Sequence, residues 1–173
     1  YEAESWTAAM AHELAMLSAP MIGFSSTSEQ TTACLGLIVQ VRRLAPDKLL
    51  LLGGANADDL MSSALAELVP ELDHVFQGEA EASFAEFLDS QAAGRASPRV
   101  IAGQVTAELD AIPPPDYADF FDQWHALLDA SHVEDGLSKD EIRLPYESSR
   151  GCWWGAKHHC TFCGLNANGM THR

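Results

Sequence analysis

Residues 48–56 read KLLLLGGAN. The run is almost continuously apolar and stops on paired glycines, the pattern of a parallel-sheet strand covered on both faces. Three further stretches repeat it: PMIGFS at 20–25, HVFQGE at 74–79 and RVIAG at 99–103. Between them the period changes. Within TTACLGLIVQVRRLAP (31–46), Cys34, Leu37, Ile38 and Val41 fall at helical spacing, and Pro46 closes the stretch. Met61, Ala64, Leu65 and Leu68 form a second helical stripe, with Asp58 or Asp59 placed to cap it. Phe84, Phe87 and Leu88 carry a third as far as Gly94, and residues 5–17 read as a helix ahead of the first run. This alternation predicts an α/β fold, a Rossmann-like parallel sheet with right-handed crossovers. Because a helix precedes any strand, the first β-α unit of that pattern reads as missing.

The chain divides into three by pattern. Residues 1–108 hold the α/β alternation. Residues 109–147 begin with a linker, AIPPPDYADFFDQW (111–124), whose three prolines oppose regular structure, and continue through an acidic stretch read as a helix and connecting loop. Residues 148–173 carry three of the four cysteines.

Composition removes several function classes. The net charge of −15 argues against a nucleic-acid partner, since phosphate contacts need an excess of Lys and Arg. No apolar run approaches the roughly 18 residues of a membrane span, and no signal peptide opens the chain. Clustered cysteines in so short a segment suit a metal in a reducing cytoplasm better than a disulfide framework.

In open parallel sheets ligands bind beyond the carboxyl ends of the strands. Here those ends are SSTSEQ (25–30), GGAN (53–56) and GEAE (78–81). Gly53, Gly54 and Gly78 would let a bulky ligand approach the backbone, or would simply make tight turns. Ser25, Ser26, Thr27, Gln30 and Asn56 offer hydrogen bonds. No G-x-G-x-x-G or G-x-x-x-x-G-K-[ST] occurs, which weakens dinucleotide and nucleoside-triphosphate readings. Glu79 and Glu81 read as the start of the next helix, where carboxylates complement its dipole. Cys34 reads as a buried structural thiol. His12, His74, His125 and His132 are scattered and receive no role.

The terminal segment RGCWWGAKHHCTFCGLNANGMTHR (150–173) spaces its thiols as C-x7-C-x2-C, at Cys152, Cys160 and Cys163. Three thiolates without a fourth suggest a metal centre with one open position. Zinc with His158, His159 or His172 as fourth ligand and a four-iron four-sulfur (4Fe-4S) cluster both satisfy that spacing, and no metal at all is the third reading it leaves open.

SSRGCWWGAKHHCTFCGLNANGM (148–170) closely resembles the cluster motif of radical S-adenosylmethionine enzymes, in the peptide-maturation group with seven residues between the first two cysteines. GFSSTSEQ, LLLLGGAN, VFQGEAE and IPPPDYADFF resemble, in that order, the cobalamin-binding half and linker of the same family. The resemblance implies that Cys152, Cys160 and Cys163 ligate a 4Fe-4S cluster whose fourth iron S-adenosylmethionine chelates, with Phe162 near the adenine. It implies cobalamin against Ser25, Ser26, Thr27 and Gln30, against Gly53, Gly54, Ala55 and Asn56, and against Gly78 and Glu79. No D-x-H-x-x-G supplies a histidine ligand to cobalt, as is typical of these enzymes. The implied activity is C-methylation of a ribosomally synthesised precursor peptide in the cytoplasm, with no catalytic residue assignable in this stretch of chain. Two alternatives stand beside it: a zinc-stapled, non-catalytic binding module, and a radical enzyme of non-methylating chemistry with a vestigial cobalamin domain. Residues 57–59 are Ala-Asp-Asp where the family commonly has Cys-Glu-Gly. The family continues as a partial α/β barrel of which only the start is present, so the edge at Arg173 reads as a truncation.

Overall fold

In the computed structural model, residues 2–131, 142–158, 160–163 and 172–173 are described. His132, His159, residues 164–171 of the terminal motif and the 132–141 part of the connecting stretch lie outside them. The chain forms two compact units, residues 1–106 with 161–169 and residues 107–160 with 170–173.

The first unit is an α/β layer structure. Its elements are α1 (Glu2–Met16), β1 (Met21–Ser25), α2 (Thr31–Leu44), β2 (Leu49–Gly53), α3 (Leu60–Leu68), β3 (His74–Gln77), α4 (Glu81–Ala92) and β4 (Val100–Ala102). All four strands are parallel and stand in chain order, β1-β2-β3-β4. The leucine run sits where its composition requires. Leu50 and Leu52 are fully buried with Ile22 and Val75 against Cys34, Leu37, Ile38 and Val41 of α2, Leu65 and Ala66 of α3, and Ala11 of α1. Leu51 faces the other way, with Phe76, Ile101 and Phe87 of α4. Each buried leucine contributes roughly 1.5–3 kcal/mol, more than the roughly 0.5–1.5 kcal/mol of a typical loop hydrogen bond.

Arginines tie down the end of the sheet opposite the carboxyl ends of the strands. From α2, Arg42 Nη2 lies 2.5 Å from Asp73 Oδ2, while its nitrogens also donate to the carbonyls of Pro46, Lys48 and Glu71. Asp73 Oδ2 also accepts from Leu50 N at 2.7 Å. Arg99 Nε and Nη2 donate to the carbonyls of Ala66 and Val69, satisfying orphan acceptors at the end of α3.

Four expectations are corrected. The stripe on α3 is rotated: Ser62, Leu65 and Ala66 are buried, whereas Met61 is 50% and Leu68 78% exposed. The Ser62 hydroxyl donates to the Asp59 carbonyl at 2.6 Å, which satisfies it inside and lets a polar residue take the inner face. Asp59 stands at the N-cap with φ 47°, but its side chain caps nothing; Asp58 Oδ1 instead accepts from Asp59 N at 2.8 Å. The crossovers are not uniform in hand. All three step the same way across the sheet, yet α2 and α3 pack on one face and α4 on the opposite one, so the α4 connection has the opposite hand to the other two. An aromatic cluster of Phe84 and Phe87 on Phe76 and His74 holds α4 there. Lastly, helix α5 (Ala118–Ser131) in the second unit begins inside the stretch read as linker. The prolines end at Pro115, and Asp116 Oδ1 then accepts from Ala118 N at 2.9 Å, opening the helix. Among the described residues no helix is long and apolar enough to cross a membrane.

Candidate functional site

The carboxyl ends of β1 and β2 are laced together. Ser26 N donates to Gly53 O at 2.8 Å, and Asn56 N to Ser26 O at 3.0 Å. Asn56 Nδ2 contacts Ser26 Oγ, Ser28 O and Thr31 Oγ1 at 3.2, 2.8 and 2.9 Å, and the Ser26 and Thr31 hydroxyls lie 2.9 Å apart. Gln30 Oε1 accepts from both the amide and the hydroxyl of Thr27 at 3.0 Å. Ser26, Thr27, Gln30 and Asn56 are thus occupied within the loops and build a platform. Thr31 completes it, although nothing in its spacing singles it out.

The glycines divide by what surrounds them. A Cβ on Gly54 (φ +96°) would come 2.6 Å from Ser26 O and 2.8 Å from Ser26 N, so this glycine serves loop-to-loop packing. Gly53 has only ordinary contact with Phe76 and lies in the wall of a groove on the sheet face. Ala55 and Asn56 form a short 3-10 turn after it. Gly78, at φ +71°, makes the turn after β3. Glu79 does not start α4, which begins at Glu81; its Oε2 accepts from Thr106 N at 2.9 Å.

Because α4 stands over β3 and β4, the same face of β1 and β2 is left open. The result is a largely apolar groove of about 410 Å³, with Met21, Gly23, Ser25, Gly53, Phe76 and Phe84 among its lining residues. At Gly23 an added Cβ would meet nothing within 4 Å, so this glycine leaves a hollow in the groove floor. A glycine inside a strand pattern is a signal of close approach, and Gly23 within PMIGFS is the residue through which the groove could have been found.

All four cysteines are free thiols. Cys34 is buried, its Sγ 3.6 Å from Ser25 O, and burial pushes the thiol pKa up. Cys152, Cys160 and Cys163 are half-buried, the first two in the second unit and the third in the first. Gly155 N donates to Cys152 Sγ at 3.3 Å. Arg150 and Arg173 exchange backbone hydrogen bonds of 3.0 and 3.1 Å. Phe162 is 91% exposed. Among the described residues no group of three or more His, Cys, Asp or Glu side chains is gathered in a metal-holding array. His74 proves to be a satisfied core histidine, Nδ1 2.7 Å from Pro98 O and its ring edge-on to Phe87. His158 lies against Trp154.

Fold and site together define an α/β protein with a four-stranded parallel sheet, a ligand-sized groove near its carboxyl edge, and a separate thiol-rich segment. No known protein family and no curated protein matches the chain. Among solved structures, the N-terminal domain of a hypothetical protein from Thermotoga maritima is similar over 48% of this chain and 61% of its own, at 18% identity and a TM-score of 0.38.

Proposed function

We propose that the chain is part of a cobalamin-dependent radical S-adenosylmethionine enzyme that C-methylates a ribosomally made peptide in the cytoplasm. The observation that carries the reading is the donor set of the terminal segment: three free, half-buried thiols at C-x7-C-x2-C, with a main-chain N–H directed at the first. Three thiolates suit a 4Fe-4S cluster with one iron left for S-adenosylmethionine, and a sulfur accepting a hydrogen bond is a recognised tuning device of such clusters. Exposed Phe162 is available to lie against an adenine. The sheet would then be a Rossmann-like domain of the cobalamin-binding type, with residues 148–173 opening the radical domain.

The groove supports the cobalamin part. Its apolar floor and the hollow at Gly23 suit one flat face of a large cofactor, with Ser25, Gly53, Gly54 and Ala80 in the lining. When bound, the cluster with S-adenosylmethionine supplies radical hydrogen abstraction, and cobalamin supplies the methyl group. The residues of this chain ligate, orient and exclude water. Cys152, Cys160 and Cys163 would hold iron, Gly155 N–H would donate to the Cys152 sulfur, and the Ser26–Thr31–Asn56 hydrogen bonds tie the loops after β1 and β2 together.

Anaerobic reconstitution with iron and sulfide tests the first half. The expected product is brown, with iron and sulfide bound together, and Cys160→Ala loses it. Stoichiometric tight zinc with no cluster would overturn the reading. Equilibrium dialysis tests the second half: Gly23→Leu should abolish cobalamin retention while leaving the circular dichroism spectrum unchanged. Equal retention by both proteins would remove cobalamin from this groove.

A further inference from the structure

The second unit presents a surface that the groove does not use. Residues 152–158 close into a turn through Ala156 N to Cys152 O and His158 N to Trp154 O, both 2.8 Å. Residues four apart consequently share a side. Lys157 Nζ stands 5.7 Å from the Trp153 ring centroid, His158 lies 5.3 Å from Trp154, and the two indoles meet edge-to-face at 5.7 Å. Despite these contacts, Trp153 is 59% and Trp154 47% exposed. A paired indole shelf in water is the kind of apolar patch that marks an interaction site, and Trp is enriched among residues that anchor partners.

Charge indicates the occupant. The chain as a whole carries 10 Lys and Arg against 25 Asp and Glu. Residues 142–173 reverse that balance, with Arg143, Arg150, Lys157 and Arg173 against a single acid, Glu147. That acid is already bound to Arg150, Oε1 to Nε and Oε2 to Nη2, each at 2.9 Å. A lysine set beside two exposed indoles, on an otherwise acidic molecule, favours an acidic partner in orientation and encounter. We infer that Trp153, Trp154 and Lys157 form a docking surface for an acidic peptide segment, one carboxylate meeting Lys157 and a neighbouring apolar side chain covering the indoles. A polyphosphate strand would require a row of cations along its path, whereas the shelf presents Lys157. The inference stands on this geometry and charge and does not require the cofactor reading.

The test titrates the full chain into a short fluorescein-labelled peptide of alternating Glu and Leu, read by anisotropy at low salt. Saturable binding is expected, weakened about tenfold or more by Lys157→Glu and by Trp153→Ala. Arg95→Glu, a change at an exposed arginine of the other unit, should leave it unaltered. Trp153→Phe, which keeps a ring, should retain most of it, and unchanged circular dichroism of each variant excludes misfolding as the cause. The inference is overturned if binding is absent, if it is equal in Lys157→Glu, or if a Lys/Leu peptide binds as well. Preferential binding of an oligothymidylate or of phosphatidylserine vesicles would overturn it too. So would self-association abolished by Lys157→Glu, which would assign the shelf to a second copy of the chain.

Discussion

Gly23 and Gly103 are glycines for opposite reasons. At Gly23 there is empty space, and a side chain would fill the groove without meeting the fold. At Gly103 a Cβ would lie 2.1 Å from Glu79 O and 2.6 Å from Gln77 O, backbone atoms that cannot move aside. Gly103→Ala should therefore lower stability by about 3 kcal/mol or more, read as a shifted denaturation midpoint, and wild-type stability in that variant would contradict the close approach. The same contrast explains why Gly54 is a poor probe of ligand binding, since replacing it breaks the loops first. Cysteines separate in a similar way. Alkylation of the native chain followed by mass spectrometry should mark Cys152, Cys160 and Cys163 first and Cys34 only after unfolding. Because burial raises the Cys34 pKa, its contribution to stability is full below the ordinary thiol range and declines as pH rises through and above it. Denaturation curves across alkaline pH should show that decline, reduced in Cys34→Ala. Individual residues of this kind were only partly legible. Cys34 could be read because helical spacing placed it on an apolar face, but Gly103 depends on a strand 26 positions earlier in the chain approaching it.

Elements were more legible than their orientations. The four strands announced themselves because burial on both faces leaves no polar alternation, as Leu50, Leu51 and Leu52 show. The rotation of α3 was hidden because it turns on one hydroxyl, Ser62, finding a carbonyl at the mouth of its own helix. The hand of the α4 connection was hidden because it is decided by the aromatic cluster on one sheet face, a contact between residues from separate elements. At this scale the Arg42–Asp73 pair gives a sharp prediction. Asp73→Ala leaves Leu50 N–H without its acceptor and the Arg42 charge without its carboxylate, so it should cost about 2–3 kcal/mol. The double variant with Arg42→Met should cost less than the sum of the two single changes, because the direct Arg42–Asp73 interaction is counted in both singles but lost only once. Strict additivity in urea denaturation would show the pair to be uncoupled.

Across the whole molecule the two candidate centres differ in how they are encoded. The thiol segment is spelled out in consecutive residues, so its spacing could be read directly. The groove exists because a helix stands over one half of a sheet and not the other, and no local stretch of sequence carries that fact. Both buried clusters of the first unit are drawn from residues before Thr106. A chain ended at Thr106 should accordingly melt cooperatively with its helical signal intact, and a non-cooperative transition would show that the core also needs residues beyond Thr106. Strand order equal to chain order has its own consequence during synthesis on the ribosome. As each strand emerges, the neighbour it pairs with has already been made, so no open slot waits for a later segment to be threaded in. The sheet can lengthen by one strand at a time behind the exit of the chain, keeping pairings short-range and unpaired edges few while the rest is still being translated.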